Sequence, residues 1–111
     1  DPSHYVWQQM DYIQPVYEFK DKLVHVHFKD IKLYPEKLAE CGVLAYPLDY
    51  MAPVIPGHGD VNWPAFIAAL NDIRYNGNAV IEVEDKAFEG SREDILNSIR
   101  LSKRYLDNYI I

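Results

Sequence analysis

Acidic and imidazole side chains recur in this sequence where apolar runs stop. Asp1 opens the cluster Asp1-Pro2-Ser3-His4. His27 lies at the end of Leu23-Val24-His25-Val26-His27-Phe28 and is followed by Lys29 and Asp30. Glu82 and Glu84 end the run that begins Ala79-Val80-Ile81, and Asp85 follows. In sheets whose strands are joined by helices, reactive groups gather beyond the carboxyl ends of the strands. An Asp, a His and a Glu at three successive strand ends would converge in space. Carboxylate plus imidazole suits a divalent cation such as Mn²⁺, Mg²⁺, Co²⁺ or Zn²⁺. A carboxylate is costly to bury unless it is paired or bound to metal, so Glu82, set among Val80, Ile81 and Val83, is the most unexpected residue in the chain.

The elements that must position these groups can be read from periodicity. Residues 23–28 and 79–83 read as buried strands, the second after the turn signal Asn76-Gly77-Asn78. Alternation puts His25, His27 and Lys29 on one side of the first strand, and Glu82 and Glu84 share a side of the second. A helix is expected around residues 11–20, started or kinked by Pro15. A second spans Trp63 to Tyr75, with Asn62 as its N-cap and Phe66, Ile67, Leu70 and Ile73 on one face. A third runs from about Glu93 to Tyr109, capped by Ser91 and Asp94, with Ile95, Ile99, Leu106 and Ile110 as its apolar stripe. The cluster at Asp1 reads as the end of a still earlier strand. Strands and helices in alternation indicate parallel strands with crossover helices. The connection from Lys29 to Asn62 is long for such a unit and carries Pro35, Pro47, Pro53 and Pro56, with a short helix expected near Pro35 to Cys41. Loops of this length are usually functional or disordered.

The chain has 111 residues, 49% of them hydrophobic and 25% charged, with a formal net charge of −6. That composition excludes a disordered tail, a collagen-like rod and a coiled coil. No apolar run approaches the ~20 residues of a membrane helix, so no membrane partner is expected. The acidic balance argues against a nucleic-acid partner held by phosphate neutralisation. The one cysteine, Cys41, excludes an internal disulfide and has no neighbour that would activate it. With no signal peptide, this points to a reducing, cytoplasmic setting. Nucleotide-binding glycine patterns, Cys-x-x-Cys and the common hydrolase motifs are missing. Two or three strands are too few for a self-sufficient parallel sheet, so the chain reads as a fragment of a larger α/β protein. Its open edges predict self-association.

Four motifs then fall in order: Asp1-Pro2-Ser3-His4, His25-Val26-His27-Phe28-Lys29-Asp30, Pro56-Gly57-His58-Gly59-Asp60-Val61-Asn62-Trp63 and Ile81-Glu82-Val83-Glu84-Asp85. Together they resemble the C-terminal half of the sugar phosphate isomerase/epimerase superfamily, the xylose isomerase-like TIM barrels related to endonuclease IV. The resemblance covers nearly the whole chain. It implies an α/β fold in which residues 1–111 are about the last three strand–helix units of a (β/α)8 barrel. A long insertion would follow the strand ending at His27, with residues 29–62 as an active-site loop.

The resemblance also implies roles. One divalent metal would be held by Asp1, His27 and Glu82, with a further Glu upstream of this chain. Glu82 would double as one of an acid/base pair of glutamates, and Glu84 takes its place if the register differs. His4 would contact substrate or support the metal ligands. Lys29 and His58 are candidate substrate contacts, against the plainer readings of a solvated lysine and a turn residue. His25 reads as structural or as support for the metal ligands. The implied activity is isomerisation or epimerisation of a sugar or sugar phosphate, by metal-assisted proton transfer next to a carbonyl, and the fragment alone is expected to be inactive. The alternatives are a sugar-acid or inosose dehydratase, an endonuclease IV-like hydrolase and a sugar-binding module without turnover.

Overall fold

A computed structural model describes residues 1–111. The chain runs α1 (Ser3–Trp7), α2 (Gln14–Glu18), β1 (His25–Phe28), β2 (Asp30–Leu33), α3 (Pro35–Cys41), β3 (Met51–Val54), α4 (Trp63–Asp72), β4 (Asn78–Ile81) and α5 (Arg92–Leu106). Single 3-10 turns lie at Lys20–Lys22, Pro47–Asp49 and Lys86–Phe88. β1 and β4 pair in parallel, with His27 opposite Val80 and Phe28 opposite Ile81. α4 provides the crossover between them. This is the α/β arrangement expected from the alternating pattern.

The register explains where the chemistry goes. Glu82 lies two residues beyond Val80, the partner of His27, and Lys29 lies two beyond His27. The pleat therefore puts all three on one face. Glu82 is outside the strand proper, but its N–H still reaches the Phe28 carbonyl at 3.2 Å. Phe28 and Asp30 point to the opposite face, where the core lies. There Phe28 meets the Trp63 ring at 5.4 Å, and Trp63 meets Phe66 at 6.0 Å. Val16, Val26, Ile67, Leu70 and Leu106 complete the packing.

α4 starts as its sequence dictates. Asn62 Oδ1 accepts from the Ala65 N–H at 3.1 Å, and Pro64 occupies the first turn, where no N–H is needed. α5 is capped by Ser91, whose hydroxyl accepts from the Asp94 N–H at 3.1 Å.

Several expectations are corrected. The helix predicted over residues 11–20 is only the five-residue α2 followed by a 3-10 turn, leaving Tyr17 and Phe19 exposed. The cluster at Asp1 leads directly into α1. The stripe expected to bury α5 largely faces outward: Ile95, Ile99 and Ile110 are exposed, and the buried face is Ser98, Ser102 and Leu106. The two serines are satisfied within the helix, by the carbonyls of Ile95 and Ser98. Small side chains let α5 lie close to its neighbours, whereas the isoleucines have nothing to pack against. β4 is also mostly exposed rather than buried, because a two-stranded sheet leaves its faces and outer edges uncovered. The connection over residues 29–62 is an ordered unit. β2 and β3 pair antiparallel, Asp30 opposite Val54 and Leu33 opposite Met51, around the predicted α3. No helix is long and apolar enough to cross a membrane.

Candidate metal centre and its supporting carboxylates

Asp1, His27 and Glu82 each bring one ligand atom to a common point, and these atoms lie within 4.8 Å of one another. Each is delivered by a different element: the turn before α1, the strand β1 and the residue after β4. His27 Nδ1 lies 2.7 Å from Glu82 Oε2. Lys29 Nζ donates to Glu82 Oε1 at 3.1 Å and pairs with Glu84 Oε2 at 2.6 Å. Asp1 Oδ1 accepts from the Ser3 N–H at 2.9 Å and from the Ser3 hydroxyl at 2.6 Å. Its other oxygen, Oδ2, faces His4 Nε2 at 3.6 Å.

The electrostatics follow from these contacts. Partial burial alone would push the Glu82 carboxyl up. Hydrogen bonds from His27 and Lys29, together with their charge, outweigh it and hold the carboxyl below its ordinary value. Burial would pull Lys29 down, but its contacts with Glu84 and Glu82 raise it instead. Glu82 is thus kept ionised, the state in which a carboxylate binds a cation or accepts a proton. The donor set of two carboxylates and one imidazole fits a divalent ion, and the separations leave room for one at their centre.

The sequence-predicted residues divide as follows. Asp1, His27 and Glu82 come together, with His4 beside Asp1 and Lys29 beside Glu82. Glu84 does not join the cluster and is turned to Lys29 instead. His58 makes no side-chain hydrogen bond, and its exposed ring lies 6.5 Å from Phe88. The buried Glu82 expected from its apolar neighbours is not found. Its side chain is 37% exposed, because the strand has ended before it and the site is open. The rings of His25 and His27 lie 5.1 Å apart.

One carboxylate of consequence had no predicted role. Asp30 is fully buried and accepts five N–H bonds. Oδ1 takes those of Ile31 at 2.8 Å and Val61 at 3.1 Å. Oδ2 takes Gly57 at 3.0 Å, Gly59 at 3.2 Å and the Trp63 indole at 2.8 Å. Asp30 therefore gathers residues 57–63 around itself. The glycines are required. Gly57 has φ +96°, and a Cβ there would meet the Tyr105 ring at 2.9 Å; a Cβ on Gly59 would strike Asp30 and the Ile31 carbonyl. The sequence carried a usable signal: Asp30 alternates away from Lys29 and so must point into the core, where a carboxylate needs donors. Gly57-His58-Gly59 is a segment able to bring them.

A sequence model of the xylose isomerase-like TIM barrel family matches residues 1–105. The chain belongs to this family. Among curated members, an inosose dehydratase of Lactiplantibacillus plantarum is 26% identical over 113 aligned residues, which take in 100% of this chain and 37% of that protein. An inosose dehydratase of Clostridium perfringens is 29% identical over 90 residues, covering 76% of this chain and 29% of the relative. This chain of the xylose isomerase-like family thus spans about a third of the length of these relatives.

Proposed function

We propose that this segment supplies part of the active site of an enzyme that removes a proton next to a carbonyl on a polyhydroxylated substrate and then eliminates water. The convergence of Asp1, His27 and Glu82 within 4.8 Å carries this reading. The names of the two relatives favour dehydration over isomerisation, which begins with the same proton removal. Asp1, His27 and Glu82 would hold one divalent cation, which supplies polarisation of the substrate carbonyl.

The chain's own groups have distinct tasks. Glu82, ionised and fixed through both oxygens, is suited to accept the proton from carbon. The proton it takes, passed on to the departing hydroxyl, would leave with it as water. The Lys29 ammonium gives two of its three donors to Glu82 and Glu84 and keeps one for a substrate oxygen that gains negative charge. His4 steadies the outer oxygen of Asp1. The ordered connection over residues 29–62 would form one wall of the site's mouth, with His58 at its rim.

Calorimetric titration of Mn²⁺, Co²⁺ or Zn²⁺ into the intact protein should show one site, and His27→Ala should weaken it at least tenfold. Incubation with an inosose in heavy water, followed by mass spectrometry, should show loss of water. Deuterium uptake without loss of water would mean isomerisation or epimerisation. Neither, with binding retained, would leave a sugar-binding module. Unchanged metal affinity in His27→Ala would overturn the ligand assignment.

A further inference from the structure

A second concavity lies beside the cluster just described. It is a cleft of about 320 Å³ between β3 and the segment that follows β4. Leu48, Met51 and Val54 form its apolar side, with the Tyr34 ring at one end. The segment after β4 adds Glu84, Asp85 and Glu89 to the lining, with Lys86 as the one cation. Asp85 already accepts the Ile55 and Ala87 N–H groups and Glu84 is paired with Lys29, so Glu89 is the carboxylate left without a partner. The cleft connects to the candidate metal centre through side chains already in contact. Glu84 lines it and pairs with Lys29 at 2.6 Å, and Lys29 reaches Glu82 at 3.1 Å.

The chemistry of this lining is complementary to one kind of ligand. A polyol ring or chain has C–H surfaces that pack on methyl, thioether and aromatic groups, and hydroxyls that donate to carboxylates. A phosphate ester does not match it. At neutral pH it offers mainly acceptors and brings about −1.5 to −2 charges. It would face three carboxylates with one lysine among them. Lys29 does not line the cleft, and its charge is already shared by Glu82 and Glu84.

We propose that this cleft receives the part of the substrate remote from the reacting carbon, and that its carboxylates select an uncharged polyol over a phosphorylated sugar. This rests on the reading of the metal cluster as a reaction centre and adds the substrate class to it. Met51 and Glu89 are the specificity-determining positions. Met51 sets the width of the apolar side, and Glu89 is a carboxylate of the cleft that has no ion-pair partner.

The test is equilibrium binding to the intact, metal-loaded protein, using an inosose and the matched pair fructose and fructose 6-phosphate. The neutral compounds should bind at least tenfold more tightly than the phosphate. Met51→Trp, which fills the cleft, should weaken the neutral compounds at least tenfold while the melting temperature is kept. Glu89→Lys, at an exposed position whose side chain makes no hydrogen bond or ion pair, should improve fructose 6-phosphate several-fold. Phosphate binding equal to or tighter than that of fructose would overturn the proposal. So would neutral ligands that fail to bind, or affinities unmoved by both substitutions. Failure of the catalytic reading has a different signature: cleft-dependent binding of the neutral compounds with no deuterium uptake and no loss of water.

Discussion

Replacing Asp30 with Asn tests whether its carboxylate organises the segment from Gly57 to Trp63. The substitution preserves volume and shape, so it isolates the acceptor capacity. An amide has one acceptor oxygen where the carboxylate has two. Its best placement puts that oxygen at Oδ2, keeping Gly57, Gly59 and the Trp63 indole. The NH₂ group then faces the N–H groups of Ile31 and Val61, donor against donor. Hydrogen bonds to charged groups contribute about 1.5–3 kcal/mol each, so losing two costs roughly 3–6 kcal/mol. An opposing effect must be weighed. Burying a carboxylate carries a desolvation penalty of several kcal/mol, which Asn largely avoids. That relief helps only when the donors left behind are also removed, and here they remain buried backbone groups. The expected net result is a destabilisation of about 3 kcal/mol, a large share of the ~5–15 kcal/mol of an ordinary domain. Urea unfolding of the intact protein, followed by tryptophan fluorescence, would measure it. Trp63 is fully buried and donates to Asp30, so its emission should also shift toward that of a wetter environment. A loss under about 1 kcal/mol, or a gain, would show that the desolvation cost dominates and that the five bonds are not what holds this segment.

Other expected outcomes follow from the same contacts. Gly57→Ala should destabilise by about 1–2 kcal/mol, from the left-handed backbone and the approach to Tyr105; Gly42→Ala, also at positive φ but in open space, should cost less in the same unfolding assay. Asn62→Ala should cost about 1 kcal/mol by removing the cap of α4, read from the urea midpoint. The Glu82 carboxyl is held below its ordinary value of 4.5, so its contribution to stability is complete above that value and is lost as pH falls through the lowered one. Unfolding midpoints over that acid range should therefore fall less steeply in Glu82→Gln. The 111-residue chain alone should self-associate through its uncovered faces, where Val24, Val80 and Ile99 are exposed; a monomer in light scattering would refute this.

The sequence was most informative where local chemistry decides the outcome. Asn62 and Ser91 cap the helices they were expected to cap, because a short polar side chain before an apolar-periodic run has few other uses. His27 and Glu82 were legible because each stands where an apolar run stops, and Asp1 joined them through the order of the motifs that resemble the metal-binding barrels. What failed depended on neighbours. The face of α5 could not be chosen from periodicity alone, since the helix is apolar on the Ile95–Ile99 side and small on the Ser98–Ser102 side, and tertiary packing selected the small side. The pairing of β2 with β3 was hidden because Asp30-Ile31-Lys32-Leu33 and Met51-Ala52-Pro53-Val54 are short and one contains a proline. The depth of Glu82 was misjudged because an apolar run was equated with burial, while the strand stops at Ile81.

The way Asp30 holds the segment after β3 divides that segment's positions by what they can become. Asp30 bonds to the backbone N–H groups of Gly57, Gly59 and Val61, and none of these bonds uses a side chain from position 58. Conformation is thus written in the main chain and two glycines, while the His58 side chain stays exposed and free of hydrogen bonds. Position 58 is therefore a socket. Different residues can be seated there on an unchanged backbone, which gives evolution or a mutant library a way to alter what this loop presents to solvent without rebuilding its main chain.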